Sequence, residues 1–414
     1  MKKELEGLPF KRIIFVTDLE VESLGEKKGG RAFYNTLTVY INKGWDVHLI
    51  TSRGGVPEEF RNTIRVYERV FPTGIYEKPT KVGRLLGRYR YCRKINRFFL
   101  DTLNKIDDGK PCVVYAYEVA GVLVAKRWTA RRGYPIISRF QGTWHANTAY
   151  TILNRFRFYP HLQALHAGTD MVIMTNDGTQ GDKALKVCRN NSPAIRFWLN
   201  GVNVPSNQEL DGRNDYRKQL HYDDKIICVT VSRLENWKRV DWAINAFALI
   251  AGECPQAELH IYGDGQSRQE LEEQSRMLHI EKQVRFHGAV DHETIRKVMV
   301  ASDVFLSLYD LSNVGNPLLE AMCAAKAIVT IDNGDTGKFI HNEETGILLP
   351  APDIELIASS MLRLIKNKEL RVELGQNARQ FAQEHFWSWK VRMETEEKMV
   401  GELLDTAVKN KKII

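Results

Sequence analysis

The feature that most narrows what this chain can fold into is a rhythm. Short β-branched apolar runs alternate with segments of helical period, and the pattern occurs twice. The first set is RIIFVTD, DVHLITS, CVVYAY, PIISRF, DMVIMTN and IRFWLNG; the second is KIICVTVS, AELHIYG, QVRFHG, DVFLSLY, AIVTID and TGILLP. Runs without polar alternation read as strands covered on both faces, hence as parallel sheets. Between them, RAFYNTLTVYINKG places Phe33, Leu37 and Ile41 on one helical face with Gly44 as a stop, and VDWAINAFALIAGE does the same with Val240, Ile244, Phe247 and Ala251. Strand–helix alternation with one interruption near residues 200–220 predicts an α/β chain of two doubly wound parallel-sheet, Rossmann-like domains. The expected division is 1–203, 204–385 and a C-terminal helix over 386–414 that crosses back to the first domain. The polar, turn-rich NVPSNQELDGRNDYR is the expected linker.

At 414 residues, two domains also fit the length. The apolar share of 43% and charged share of 27% are those of a globular, water-soluble protein. The most apolar stretch, VVYAYEVAGVLVA, is short and broken by Glu118, and MKKELEGLPFKR lacks the features of a secretory signal, so a cytoplasmic location is expected. Six cysteines, scattered singly and partly inside apolar runs, read as reduced buried thiols and not as a metal or disulfide framework. Charge is uneven: residues 1–200 carry 33 Lys and Arg against 18 Asp and Glu, and the remainder 26 against 33. The first half should therefore attract something anionic.

Three clusters carry chemistry. In VSRLENWKRVD, Arg233 and Lys238 follow a strand and precede a helix, as suits a diphosphate that gains charge when a glycosidic bond breaks. An isolated pair at this spacing reads more readily as a solvated loop. In YDLSNVGNPLLEAMCAAK, Pro317 fits the first helical position with Asn316 as cap, and the small polar loop before it lets backbone N–H groups approach a phosphate. Glu320, read as one turn into that helix, either accepts hydrogen bonds from a ribose diol or offsets the helix dipole. In KKGGRAFYNTL, Gly29-Gly30 opens a helix after the first strand. It is neither the G-x-G-x-x-G of dinucleotide sites nor a Walker loop, which argues against NAD and ATP.

In order and over nearly the whole length, these segments resemble the family-4 retaining glycosyltransferases (glycosyl transferases group 1), which have the GT-B architecture. The matching points are GGRAFYNTLTVYINKGWDVHLITS, LNGVN, VSRLENWKRVD, LHIYGDG, VRFHGAV, NPLLEAM, ETGILLPAPD and the late FWSW. The resemblance implies two Rossmann-like domains facing a central cleft and a nucleotide-diphosphate sugar as co-substrate, with no metal or other cofactor. It implies that Arg233 and Lys238 bind the donor diphosphate and that Glu320 holds the ribose. Gly30 would bring backbone close to the phosphates, and Ser312, Asn313, Val314, Gly315 and Asn316 would cradle the donor sugar, with Asp264 of LHIYGDG also on the donor side. The departing diphosphate would assist deprotonation of the acceptor hydroxyl with retention of configuration.

The sequence departs from that pattern at three places. Ser312 stands where the family usually has a sugar-binding Glu, with Asp310 out of register, so Ser312 and Asn313 are expected to contact the sugar instead. Gln141-Gly142 stands where the family often has His-Gly; a glutamine cannot take up a proton but can orient a hydroxyl. Lys338 replaces an often acidic residue, without a physical account. His145 and Glu118 are candidates on the acceptor side, although a lone loop histidine is more often structural.

The resemblance assigns the acceptor to the basic first half. There GRLLGRYRYCRKINRFF lines up Leu85, Tyr89, Cys92, Ile95 and Phe99, flanked by Arg84, Arg88, Arg93 and Arg97. Residues 83–99 read either as a helix docking peripherally on the inner face of an anionic membrane or as an ordinary packed helix with a charged outer face. No aromatic-plus-basic motif points to nucleic acid. The expected function is sugar transfer to a glycan, lipid-linked or small-molecule hydroxyl in cell-surface polysaccharide or glycolipid synthesis. A non-catalytic nucleotide-sugar or glycan-binding protein, and a nucleotide-sugar epimerase, are the alternatives.

Overall fold

A computed structural model describes residues 11–19, 21, 31–72, 80–222 and 224–410. It divides into two compact units. The first holds Met1–Asn176, Gln180–Asn200 and Trp389–Ile414; the second holds Asp177–Thr179 and Gly201–Ser388. The chain thus changes unit at Asn200/Gly201 and Ser388/Trp389, where the sequence pointed to 203/204 and 385/386. The three residues 177–179, which follow a first-unit strand, group with the second unit.

The first unit is built on seven strands: β1 (Arg12–Thr17), β2 (Asp46–Thr51), β3 (Arg65–Glu68), β4 (Val113–Tyr117), β5 (Ile136–Phe140), β6 (Met171–Thr175) and β7 (Ile195–Trp198). They lie in the order β3-β2-β1-β4-β5-β6-β7, every pair parallel. Successive residues of β1 feed opposite cores: Ile14 and Val16 join one cluster, Ile13 and Phe15 the other. A sheet covered on both faces has no polar side, which is why its strands show no alternation. Each fully buried side chain of this size contributes on the order of 1.5–3 kcal/mol.

The helix Trp389–Lys409 completes this unit, adding Val400 and Leu404 to the cluster with Phe33, Leu37 and Tyr40. It also carries Glu396 into a fully buried ionic knot. Glu396 accepts from Tyr115 Oη at 2.7 Å, from Arg392 at 2.8 Å and from Arg139 at 3.2 Å. Arg139 in turn donates to Thr36 Oγ1 at 2.7 Å. The two guanidiniums hold the Glu396 carboxyl below its ordinary range against the opposing effect of burial. A buried carboxylate shared by two cations is retained because removing any member strands the others.

The second unit has six strands: β8 (Ile226–Val231), β9 (Ala257–Tyr262), β10 (Val284–Gly288), β11 (Val304–Ser307), β12 (Ala327–Ile331) and β13 (Ile347–Leu349). Their order is β10-β9-β8-β11-β12-β13, again all parallel. In the helix Val240–Ala251, Val240, Ile244, Phe247 and Ala251 all face the core, as the spacing predicts. In Arg31–Asn42 the buried face is Phe33, Thr36, Leu37 and Tyr40, with Ile41 only half covered.

The expected linker is not an irregular one. Ser206 and Glu209 form a reciprocal capping box that starts the helix Asn207–Asp211, and Arg213–Gln219 follows. Arg213 and Arg217 pair with Asp303 at 2.7 and 3.1 Å and bind the carbonyls of Val300, Ala301 and Ser302 that close the helix His292–Ala301. Arginines on the last carbonyls of a helix satisfy acceptors that its own ladder leaves open.

The helix Lys81–Ile106 also corrects the sequence reading. The residues buried at its packed face are Tyr91, Ile95, Phe99 and Leu103, whereas Leu85, Tyr89 and Cys92 are half covered. The expected apolar face at 83–99 is therefore largely spent on the core. Among the described residues no helix is long and apolar enough to cross a membrane.

Candidate active site

Both sheets have the strand order that places a switch point between the first and fourth strands. In open parallel sheets, ligands bind outside the carboxyl ends of the strands at that point. In the second unit it falls between β8 and β11, and both clusters expected on the donor side lie there.

After β8 the backbone turns through Arg233 to a single 3-10 turn, Asn236–Lys238, and the helix Val240–Ala251 follows. The Lys238 ammonium lies 3.9 Å from the centre of the Trp237 ring and 3.7 Å from that of Tyr309, just past β11. Two aromatic faces hold a cation while excluding water. Trp237 is fixed by its Nε1 bond to Glu235 at 2.5 Å, and its carbonyl accepts from Asp310 N at 3.0 Å. Burial and the neighbouring Arg233 lower the Lys238 pKa to about 7, with Glu235 and Asp177 acting the other way. Arg233 is largely exposed and pairs with Glu235 at 2.9 Å, free to swing toward an anion. The loop after β9 approaches so closely that a Cβ on Gly263, whose φ is +131°, would lie 1.8 Å from the Ser232 carbonyl oxygen. Asp264, the next residue, pairs with Arg268 at 3.1 Å and accepts from Gly265 N.

After β11 the chain forms the loop 308–315 and enters the helix Asn316–Cys323. Gly315, not Asn316, is the cap and offers no side chain for capping, and Pro317 lies in the first turn. Glu320 is buried in the fifth helical position, past the first turn where the dipole acts most strongly. That position argues against a role in offsetting the helix dipole.

Ser312 and Asn313, the expected sugar contacts, are both engaged within the unit. Asn313 is fully buried and its amide is consumed within the unit. Its Oδ1 accepts from Ser307 Oγ at 2.9 Å and Tyr309 N at 2.8 Å, and its Nδ2 donates to Ile331 O and Asn333 Oδ1. Ser312 Oγ donates to the carbonyl of Asp177 at 2.8 Å, and Val314 is buried apolar filling. These three side chains are engaged within the unit and shape the loop. Lys338 pairs with Asp335 at 3.0 Å and is mostly exposed.

Sequence reasoning missed Asp177. Residues 177–179 sit against the donor loop: a Cβ on Gly178 would lie 2.0 Å from Ser312 Oγ, and Gly178 O accepts from Asp335 N at 2.8 Å. Burial raises the Asp177 carboxyl to about 6, while two bonds from Thr179 and the charge of Lys238 pull it down. The readable signal was its position directly after the run DMVIMTN.

In the first unit the switch point lies between β1 and β4, and a cavity of about 550 Å³ opens there, within the size of ligand pockets. Asp18, Arg88, Glu118, Trp144, His145 and His161 are among its lining. Glu118 follows β4 with φ +65°, a conformation rarely taken by a residue with a side chain, and its Oε1 accepts from Gln141 N at 2.7 Å. Gln141 Nε2 donates to Tyr117 Oη, which orients the amide. His145 is fully buried, bonds Thr148 Oγ1 through Nδ1 at 3.2 Å, and is pushed down by burial to about 4. It is neutral near pH 7. Asp18, Trp144 and His161 were not singled out in the sequence. Gly30 lies outside the described residues. Among the described residues no group of three or more His, Cys, Asp and Glu could hold a metal ion.

Two open parallel sheets with this strand order, each with side chains gathered at its switch point, define a GT-B chain. A solved structure of Anabaena HepE in complex with UDP-glucose superposes with a TM-score of 0.68 at 19% identity, covering 95% of this chain and 99% of that one, which shows the fold. More particularly, residues 212–381 match the family described as glycosyl transferases group 1. The chain is 31% identical over 165 residues to an N-acetyl-alpha-D-glucosaminyl L-malate synthase of Bacillus anthracis, covering 40% of this chain and 42% of the relative. A sulfoquinovosyl transferase of Arabidopsis thaliana is 23% identical over 362 residues, 86% of this chain and 67% of the relative. The chain spans about half the length of the first curated relatives it matches.

Proposed function

We propose that the chain is a retaining glycosyltransferase. It takes a sugar from a nucleotide-diphosphate donor and passes it to a hydroxyl of a glycan, lipid-linked or small-molecule acceptor, in making a cell-surface polysaccharide or glycolipid. The observation that carries this reading is the seating of Lys238 between Trp237 and Tyr309 at the β8/β11 switch point, with Arg233 and the start of the helix Asn316–Cys323 on the same edge. As the bond from the anomeric carbon to the diphosphate breaks, negative charge grows on the leaving oxygen. Preorganised cations and amides in a water-poor site stabilise that charge more than the ground state. The acceptor oxygen bonds the same face of the anomeric carbon, and its proton passes to the departing phosphate oxygen. Gln141 and the neutral His145 then serve to orient, not to remove, a proton. On this reading the cations neutralise the diphosphate and no divalent metal takes part.

Incubation with a panel of nucleotide sugars and hydroxyl acceptors, with and without a chelator, tests this. Release of nucleoside diphosphate at a rate unaffected by chelation, giving an α-configured product from an α-configured donor, is expected; an inverted product or a chelator-sensitive rate would overturn those parts. The second reading, a nucleotide-sugar or glycan-binding protein, is favoured by the engagement of Ser312 and Asn313 within the loop. Binding without turnover across the panel would select it, and sugar isomerisation without diphosphate release would select an epimerase.

A further inference from the structure

Two helices of the first unit leave an apolar surface uncovered. Val82 and Leu86, on the first turns of Lys81–Ile106, are each more than half exposed, and so are Ile152, Leu153 and Phe156 of the helix Ile152–Arg157. That second helix buries none of its residues. The two are held side by side: Arg88 donates to Arg157 O at 3.1 Å, Tyr89 Oη meets Phe156 O at 3.4 Å, and the rings of Tyr89 and Tyr159 stack at 4.3 Å. Val82, Leu86 and Tyr89 follow one helical stripe, so their side chains and those of Ile152–Arg157 form one patch. Trp144, also more than half exposed, lines the cavity together with Arg88.

The charge around this patch has one sign. From Thr80 to Leu100 the sequence carries Lys81, Arg84, Arg88, Arg90, Arg93, Lys94 and Arg97 with no Asp or Glu, and from Val119 to Thr169 there is again no acidic residue. Arg84, Arg90, Arg93, Arg155 and Arg157 are exposed. Clustered aliphatic and aromatic tips ringed by arginines suit a surface that is apolar within and anionic at its face.

We propose that this two-helix patch docks on an anionic lipid bilayer, with Leu86, Ile152, Leu153 and Phe156 entering the headgroup boundary. Of the stripe singled out in the sequence this face shares only Tyr89; Ile95 and Phe99 are packed in the core. Docking also brings Arg88 and Trp144, and with them the cavity, to the headgroup layer. Docking does not depend on the transferase reading.

The test is co-sedimentation of the full chain with vesicles of phosphatidylcholine alone and of phosphatidylcholine with phosphatidylglycerol. Binding is expected only to the anionic vesicles and to weaken with salt. Replacing Leu86, Ile152, Leu153 and Phe156 with Ser should reduce the partition coefficient by roughly tenfold or more. A variant with Arg90, Arg93 and Arg155 changed to Glu should lose binding with the apolar tips intact. Circular dichroism melts of both variants establish that they fold. Brominated phosphatidylglycerol should quench a fluorescence component that Trp144→Phe removes. Absence of vesicle binding, equal binding by the folded Ser variant, or a dimer that the Ser variant dissociates without change in vesicle binding would each overturn the proposal.

Discussion

At Lys238 one ammonium is held between two aromatic rings, close to Arg233 and Asp177. Lys238→Ala should lower turnover by about 10²–10³-fold, the effect of removing one donor to a developing anion, while the melting temperature changes little. Steady-state kinetics beside calorimetry checks this, and full activity would remove Lys238 from the site. The same residue sets a pH dependence. Because its pKa is lowered to about 7, the free protein loses this charge as pH rises through that value, whereas a bound diphosphate favours the charged form. Affinity for a nucleoside diphosphate should therefore fall above pH 7, by at most about tenfold per pH unit for one proton. The Asp177 carboxylate favours the charged lysine, so Asp177→Asn should move that fall to lower pH. Titration calorimetry across the range would show it, and a flat profile in the parent chain would contradict the assignment. Arg233, Lys238 and Glu320 were legible because each sits at a fixed offset from a recognisable strand or helix start. Asp177 was not singled out: its place after a strand was readable, but Ser312, which bonds its carbonyl, lies more than a hundred residues away.

The C-terminal helix Trp389–Lys409 is the element whose placement rests most on a few polar atoms. Glu396→Ala would leave Arg139 and Arg392 buried without their shared carboxylate, at a cost of about 3–5 kcal/mol. Urea unfolding should register that loss, and a change below 1 kcal/mol by the same measure would show the knot to be dispensable. The Glu396 pKa is lowered on folding, so its contribution is present above the ordinary carboxylate range and fades as pH falls through the folded value. Strands and long helices were readable from periodicity, since burial on both sheet faces imposes uniform apolar runs. The helices Asn207–Asp211 and Arg213–Gln219 were not, because their polar sequence is ordered by a capping box and by Asp303 in place of an apolar stripe. For Lys81–Ile106 the helix was legible and its buried face partly so, since Ile95 and Phe99 are in the core but Leu85, Tyr89 and Cys92 are half covered. The selected stripe began at Leu85, whereas packing is set by Tyr91, Ile95, Phe99 and Leu103.

For the molecule as a whole, the two switch points divide the work the proposed function requires. Glu118→Gln and Trp144→Ala, at the first-unit cavity, should raise the acceptor KM while leaving nucleoside-diphosphate affinity unchanged. A matching loss of diphosphate affinity, measured by calorimetry, would contradict that division. The discontinuity of the units has a further consequence. Residues 201–388 form an unbroken piece of chain, and the family match at 212–381 lies wholly inside it, whereas the first unit is assembled from three separate pieces. A gene segment encoding 201–388 can thus be exchanged between relatives as a cassette. Such a chimera would take Ser312 from one parent and its carbonyl partner at position 177 from the other. Residues 177–179 are thus a seam that recombination at the unit borders leaves behind, and compatible parents must agree there as well as at the two junctions.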